Sequence, residues 1–95
     1  MDFNSGITVL DSAKERCLLA EYISDLYIVI DSVESVLLKF QYTKEHPFYI
    51  RIVKIQEHFA SQSKNGIYEI GIIPARKMVT DVINSIIIEL KAECT

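Results

Sequence analysis

The sequence predicts a mainly α protein: a small bundle of three or four helices around a long N-terminal amphipathic helix. Three observations predict it. Apolar residues between positions 12 and 42 keep a helical phase. Two prolines, Pro47 and Pro74, each stand at the head of a later stretch whose apolar residues recur three and four apart. Only 3 Gly interrupt the 95 residues, which favours long regular elements over tight turns.

The first helix is expected from about Ser12 to about Tyr42. At 100° per residue, Leu18, Leu19, Tyr22, Ile23, Leu26, Val29, Ile30, Val33, Val36, Leu37 and Phe40 share one arc of about 140°. Arg16, Glu21, Ser24, Asp25, Asp31, Ser32, Glu34, Ser35 and Lys39 fall outside that arc or at its edge. Ser12-Ala13-Lys14-Glu15 reads as a capping box, with Ser12 accepting from the third backbone N–H and Glu15 reaching back. Asp31-Ser32-Val33-Glu34 repeats the pattern, and a break there would give two helices and close a four-helix bundle. A competing reading makes Leu26–Asp31 and Val36–Tyr42 strands, because Leu-Tyr-Ile-Val-Ile is aromatic and β-branched. It belongs to an alternative α+β fold with an antiparallel sheet between two helices. The alternation at Leu38, Phe40 and Tyr42 is short, whereas the helical phase runs about thirty residues, so helix is the favoured reading.

The second helix opens at Pro47, since proline suits a first helical position. Phe48, Ile52, Ile55 and Phe59 form one face, with Arg51, Lys54, Glu57 and His58 opposite. Ser61 to Gly66 is a connection in which Asn65-Gly66 supplies turn chemistry. Ile67 to Ile73 has no helical phase; it is a short strand, pairing with Ile7-Thr8-Val9-Leu10, or an extended linker. Pro74 opens the last helix, which runs to about Glu93 with Val79, Val82, Ile83, Ile86, Ile87 and Leu90 as its stripe. Ile88 points nearly opposite, among Lys77, Asp81, Asn84 and Lys91.

This length makes one domain, residues 1–95. The net charge is −3 and the ten basic residues are scattered, which speaks against nucleic acid as a partner. The one adjacent basic pair, Arg76-Lys77, reads as a solvated face. No basic-then-apolar leader opens the chain, and no apolar run reaches the ~20 residues of a membrane span. A cytoplasmic protein without membrane contact is expected, with Cys17 and Cys94 reduced; a Cys17–Cys94 disulfide has no spacing argument behind it. The initial Met fits a stand-alone small protein.

Few residues point to chemistry, and each has an ordinary structural explanation. His46 precedes Pro47 in a turn and His58 lies on a polar helix face; neither has metal-ligand spacing around it. Neither cysteine has a neighbouring base or cationic cluster. Glu15 falls inside the apolar arc, which its capping role explains. Asn65-Gly66 and Gly71 lack the spacing and the Lys of a phosphate loop. No catalytic, cofactor-binding or metal residue is assigned, and no cofactor is expected. A small enzyme or ligand-binding protein would instead need an enclosed polar pocket of sequence-remote residues, near His58, Cys17 or Glu69.

A binding role has more behind it. A thirty-residue helix is roughly 45 Å long, and two further helices cannot cover all its apolar surface. Tyr27, Ile28, Leu38 and Ile88, which lie off the main stripes, are therefore the candidate protein interface. The expected function is a non-enzymatic protein-binding module, of inhibitor, immunity-protein, chaperone or adaptor type. It would bury an apolar helical surface against a protein partner or a second copy.

Overall fold

The computed structural model describes residues 2–64 and 67–93. Four helices account for most of them: α1 (Phe3–Leu19), α2 (Ile23–Lys39), α3 (Pro47–Ser61) and α4 (Ile72–Glu93). The mainly α bundle is thus what the chain forms, and residues 26–61 hold no strand. Between α3 and α4, β1 (Ser63–Lys64) and β2 (Ile67–Tyr68) make a two-residue antiparallel ladder. Ile67 therefore pairs with Lys64 just upstream, and Ile7 to Leu10 lie inside α1. Asn65-Gly66, where the sequence places the turn, falls outside the described residues.

The first helix begins earlier and ends sooner than its phase suggests. Asp2 is the N-cap: its carboxylate accepts from the Ser5 N–H at 2.8 Å and from the Ser5 hydroxyl at 2.9 Å. Those bonds favour the charged form and hold the Asp2 carboxyl below its ordinary range. Ser12 and Glu15 lie in the helix interior, both exposed, so the expected capping box is not made.

The long helix divides at residues 20–22 because its apolar face reverses. In α1 the buried stripe is Ile7, Leu10, Ala13 and Cys17; in α2 it is Ile23, Leu26, Ile30, Val33 and Leu37. On one straight helix at 100° per residue these stripes would lie roughly 160° apart. They cannot face one core unless the chain folds back. It does so at an elbow, with Ala20 (φ −64°, ψ 130°) and Tyr22 (φ −131°, ψ 156°) extended, and α1 then packs on α2 as a helical hairpin.

Two clamps hold the elbow. The Asp25 carboxylate accepts from the backbone N–H groups of Glu21 and Tyr22, at 3.1 Å each. From α4, the Arg76 Nε–H donates to the Ala20 carbonyl at 2.7 Å, and an Nη2 N–H reaches the same oxygen. That carbonyl ends α1 and lacks a helical partner, so a guanidinium there supplies the missing donor and complements the helix dipole. Arg76 is consequently not part of a solvated face. Its neighbour Lys77 is, paired with Asp81 at 2.9 Å.

Nothing breaks at Asp31, which sits midway along α2. The Ser32 and Ser35 hydroxyls donate to the carbonyls of Ile28 and Asp31, bonds that stay within the helix. The stop comes after Lys39. The Tyr42 N–H reaches the Leu37 carbonyl at 3.0 Å and the Gln41 N–H reaches that of Leu38 at 2.9 Å. This is a Schellman turn, and it puts Gln41 at φ 67°. A side chain in that conformation costs about 1–2 kcal/mol. Gln41→Gly is therefore expected to raise the unfolding free energy by about 0.5–1 kcal/mol in urea titrations.

Pro47 does open α3, with the His46 Nδ1 accepting the Phe48 N–H at 3.2 Å as its cap. Phe48, Ile52, Ile55 and Phe59 are buried as their spacing predicts, joined by Tyr49. In α4, Pro74 lies in the first turn, and Ala75, Val79, Ile83, Ile86, Ile87 and Leu90 are buried. Helices α2 and α4 each pack against the other three. The shared core holds no buried polar or charged residue among those described.

Across the α3–α4 seam, Arg51 forms a two-pronged ion pair with Glu89, with Nη2 to Oε1 at 3.1 Å. The guanidinium holds the Glu89 carboxyl below its usual range. A carboxyl lowered on folding adds stability above its unfolded value, near 4.5, and that stability is lost as pH falls through the folded value. Both side chains are part-exposed and screened, so the contribution is about 0.5 kcal/mol. Glu89→Gln should lower stability by that amount at neutral pH, with the difference shrinking as pH falls through the folded value; urea melts across that range check this.

Candidate protein interface at the elbow

The four residues marked by the sequence do not form one patch. Ile28, Leu38 and Ile88 are each 59% exposed. Ile28 and Leu38 share the outer face of α2 but stand almost three turns apart. Ile88 belongs to the outer face of α4 with Lys77, Asp81 and Asn84, all exposed. Tyr27 is half-buried: its ring meets the Phe59 ring edge-on at 5.9 Å, and its hydroxyl donates to the Gln56 carbonyl at 3.5 Å. Burial, followed by the nearby Tyr68, pushes that hydroxyl's pKa up.

What the structure does bring together lies at the elbow. Leu18, Leu19 and Tyr22, which the phase assigned to the core, are 64%, 78% and 67% exposed. The fold-back causes this, because it ends the α2 stripe at Ile23 and turns the preceding three apolar residues outward. Two open grooves flank the elbow. One, of about 330 Å³, lies between the end of α1 and the start of α2 and includes Leu19, Ala20 and Ile28. The other, of about 340 Å³, lies between α1 and α4 and includes Leu18, Ile73 and Arg76. Ile73 is itself 72% exposed. The Arg76–Ala20 bond thus joins a residue of one groove to a residue of the other.

The rim carries both signs of charge. Arg16, Glu21 and Asp25 border the first groove; Lys77 and Asp81 border the second. An apolar centre with a mixed polar rim is the general composition of a protein–protein interface. The signal for the patch was present in the sequence, as the reversal of face between Cys17 and Leu18. It is visible only when the stripe Ile7, Leu10, Ala13, Cys17 is read as a helix of its own.

Beside this surface Cys17 is fully buried against α4. Burial pushes its thiol up, outweighing the opposing influence of Thr80 and Arg16. A protonated, enclosed thiol is a core residue and a poor nucleophile. In a Cys94→Ser background, Cys17 should react with a thiol reagent at least about a thousandfold more slowly in the native protein than in denaturant; stopped-time labelling and mass spectrometry measure it. Cys94 lies outside the described residues. His58 is exposed, and neither groove includes His58, Cys17 or Glu69. Among the described residues no three His, Cys, Asp or Glu side chains converge as a metal site would require, and no helix is long and apolar enough to cross a membrane.

No family model, curated protein or solved structure matches this chain, so its geometry carries the functional reading.

Proposed function

We propose that this chain is a non-enzymatic, cytoplasmic protein-binding module that works by burying the elbow surface against a protein. One observation carries the proposal: Leu18, Leu19, Tyr22, Ile28 and Ile73 stand 59–78% exposed around one corner of the bundle. Complete burial of a Leu or Ile side chain is worth about 1.5–3 kcal/mol. Five side chains about two-thirds exposed therefore offer on the order of 5–10 kcal/mol, which is similar to the cost of association itself. A net affinity then needs polar contacts from the rim, and Arg16, Glu21, Asp25 and Lys77 are placed to make them. Size, acidity and apolar surface fit the inhibitor, immunity-protein, chaperone and adaptor types, by analogy of class alone.

The test compares the wild-type chain with a Leu19→Glu/Ile73→Glu variant of equal helicity by circular dichroism. Affinity capture from native extract and sedimentation equilibrium are run on both. A saturable, stoichiometric partner or self-association, lost in the variant, is the expected result. Identical captured material for both chains, with both sedimenting as monomers, would dispose of the proposal.

A further inference from the structure

We infer that Leu18, Leu19 and Tyr22 of the elbow surface are covered by a second copy of this chain through exchange of α1. Residues 20–22 straighten, α1 and α2 become one helix from Phe3 to Lys39, and each copy's α1 packs into the other's bundle. The inference rests on the reading of the elbow as a binding surface, and it names the occupant.

Four features of the chain converge on it. The hinge is Ala20-Glu21-Tyr22, with no Gly or Pro, so every hinge residue can join a helix. Short hinges between packed elements are where such exchange occurs. On the straightened helix, Leu18, Leu19 and Tyr22 share the arc of Ile23, Leu26 and Ile30 and extend the α2 stripe by about one turn. The fold-back alone exposes them.

The opposed stripes fit as well. On a straight helix the buried faces of α1 and α2 look in nearly opposite directions, about 160° apart. They can then enter two different bundles and not one, as exchange requires. The fused helix is roughly 55 Å long at 1.5 Å per residue, against 44 Å for the longest dimension of the folded-back chain.

Backbone accounting closes in both forms. In the folded-back chain Asp25 serves the Glu21 and Tyr22 N–H groups and Arg76 serves the Ala20 carbonyl. In the fused helix those N–H groups regain the carbonyls of Cys17 and Leu18, and the Ala20 carbonyl regains the Ser24 N–H. No backbone group of residues 20–22 is left unpaired by the change. The helix–helix packing of α1 on α2 and α4 is re-formed between copies, and the Arg76 bond to Ala20 is given up. The balance therefore lies between the two clamps and the burial of Leu18, Leu19 and Tyr22 where the two fused helices meet. The rim suits a self-complementary contact, since Arg16 of one copy can face Glu21 of the other.

The experiment uses the α1–α4 contact in which the Lys14 ammonium donates to the Asn84 side-chain carbonyl at 3.2 Å. Lys14→Cys and Asn84→Cys are introduced with Cys94→Ser, the protein is refolded at high concentration, and size-exclusion fractions are treated with a short bismaleimide. Exchange predicts a dimer fraction whose crosslinks join two chains on a denaturing gel. Arg76→Met or Asp25→Ala, each removing one clamp, should raise the dimer-to-monomer ratio at least roughly tenfold. Two glycines inserted after Glu21 lengthen the hinge and weaken the fused helix, so they should abolish the dimer. A dimer with only intrachain crosslinks would overturn exchange while leaving the surface reading intact. No dimer in any variant would overturn exchange too, and the surface reading would then stand or fall on a foreign partner.

Discussion

Phe59→Ala is expected to lower the unfolding free energy by about 3–5 kcal/mol and the melting temperature by at least about 12 °C. Phe59 is completely buried, in the last turn of α3, with its ring against the edge of Tyr27. Removing it deletes the area term and leaves a void beside Tyr27, against whose ring it packs. A domain of this size has about 5–14 kcal/mol of stability in all, so the variant loses about a fifth of it or more. Phe59→Leu, which keeps most of the volume, should cost under about 1.5 kcal/mol. Urea and thermal melts followed by circular dichroism measure both. A loss below about 1 kcal/mol for the alanine variant would mean that α3 is not docked as described.

Gly6→Ala should destabilise, although alanine is the better helix former. At an open helical position the change gains up to about 1 kcal/mol. Here a Cβ at Gly6 would stand within the Phe40 ring, closer than any real contact. The ring would have to swing out from its place beside Phe3, 6.5 Å away between centroids. We expect a net loss of about 1–3 kcal/mol. The sign should reverse once the ring is gone: in a Phe40→Ala background, Gly6→Ala should stabilise by about 0.5–1 kcal/mol. A gain in the wild-type background would contradict the contact, and the four-variant cycle decides it.

Those two residues show what the sequence did and did not disclose. The stripe Phe48, Ile52, Ile55, Phe59 could be read directly, because α3 and α4 each keep one face and each carry a proline in the first turn. The first forty residues were harder. Their strongest periodicity, Leu18 to Phe40, crosses a point where the chain folds back, so a continuous phase stood in for a continuous helix. Asp25 looked like one more polar-face residue, yet it caps the elbow. Arg76 looked solvated because nothing local reveals that its partner is a carbonyl on another helix. Gly6 lies upstream of the helix expected from Ser12, and no local signal shows that it is helical or that Phe40 lies over it. The exposed surface followed the same division. Ile28, Leu38 and Ile88 could be marked as off-stripe, whereas Leu18, Leu19, Tyr22 and Ile73 meet water only because of tertiary placement.

The Arg76 clamp also imposes a timetable. Its acceptor, the Ala20 carbonyl, lies 56 residues upstream, so a nascent chain makes α1 and α2 well before it makes the residue that fixes the angle between them. At ordinary translation rates that interval is roughly 3–11 s, long compared with the microseconds in which a helix forms. Throughout it the elbow is held by Asp25 alone, and the angle between α1 and α2 lacks the guanidinium that ties it to α4.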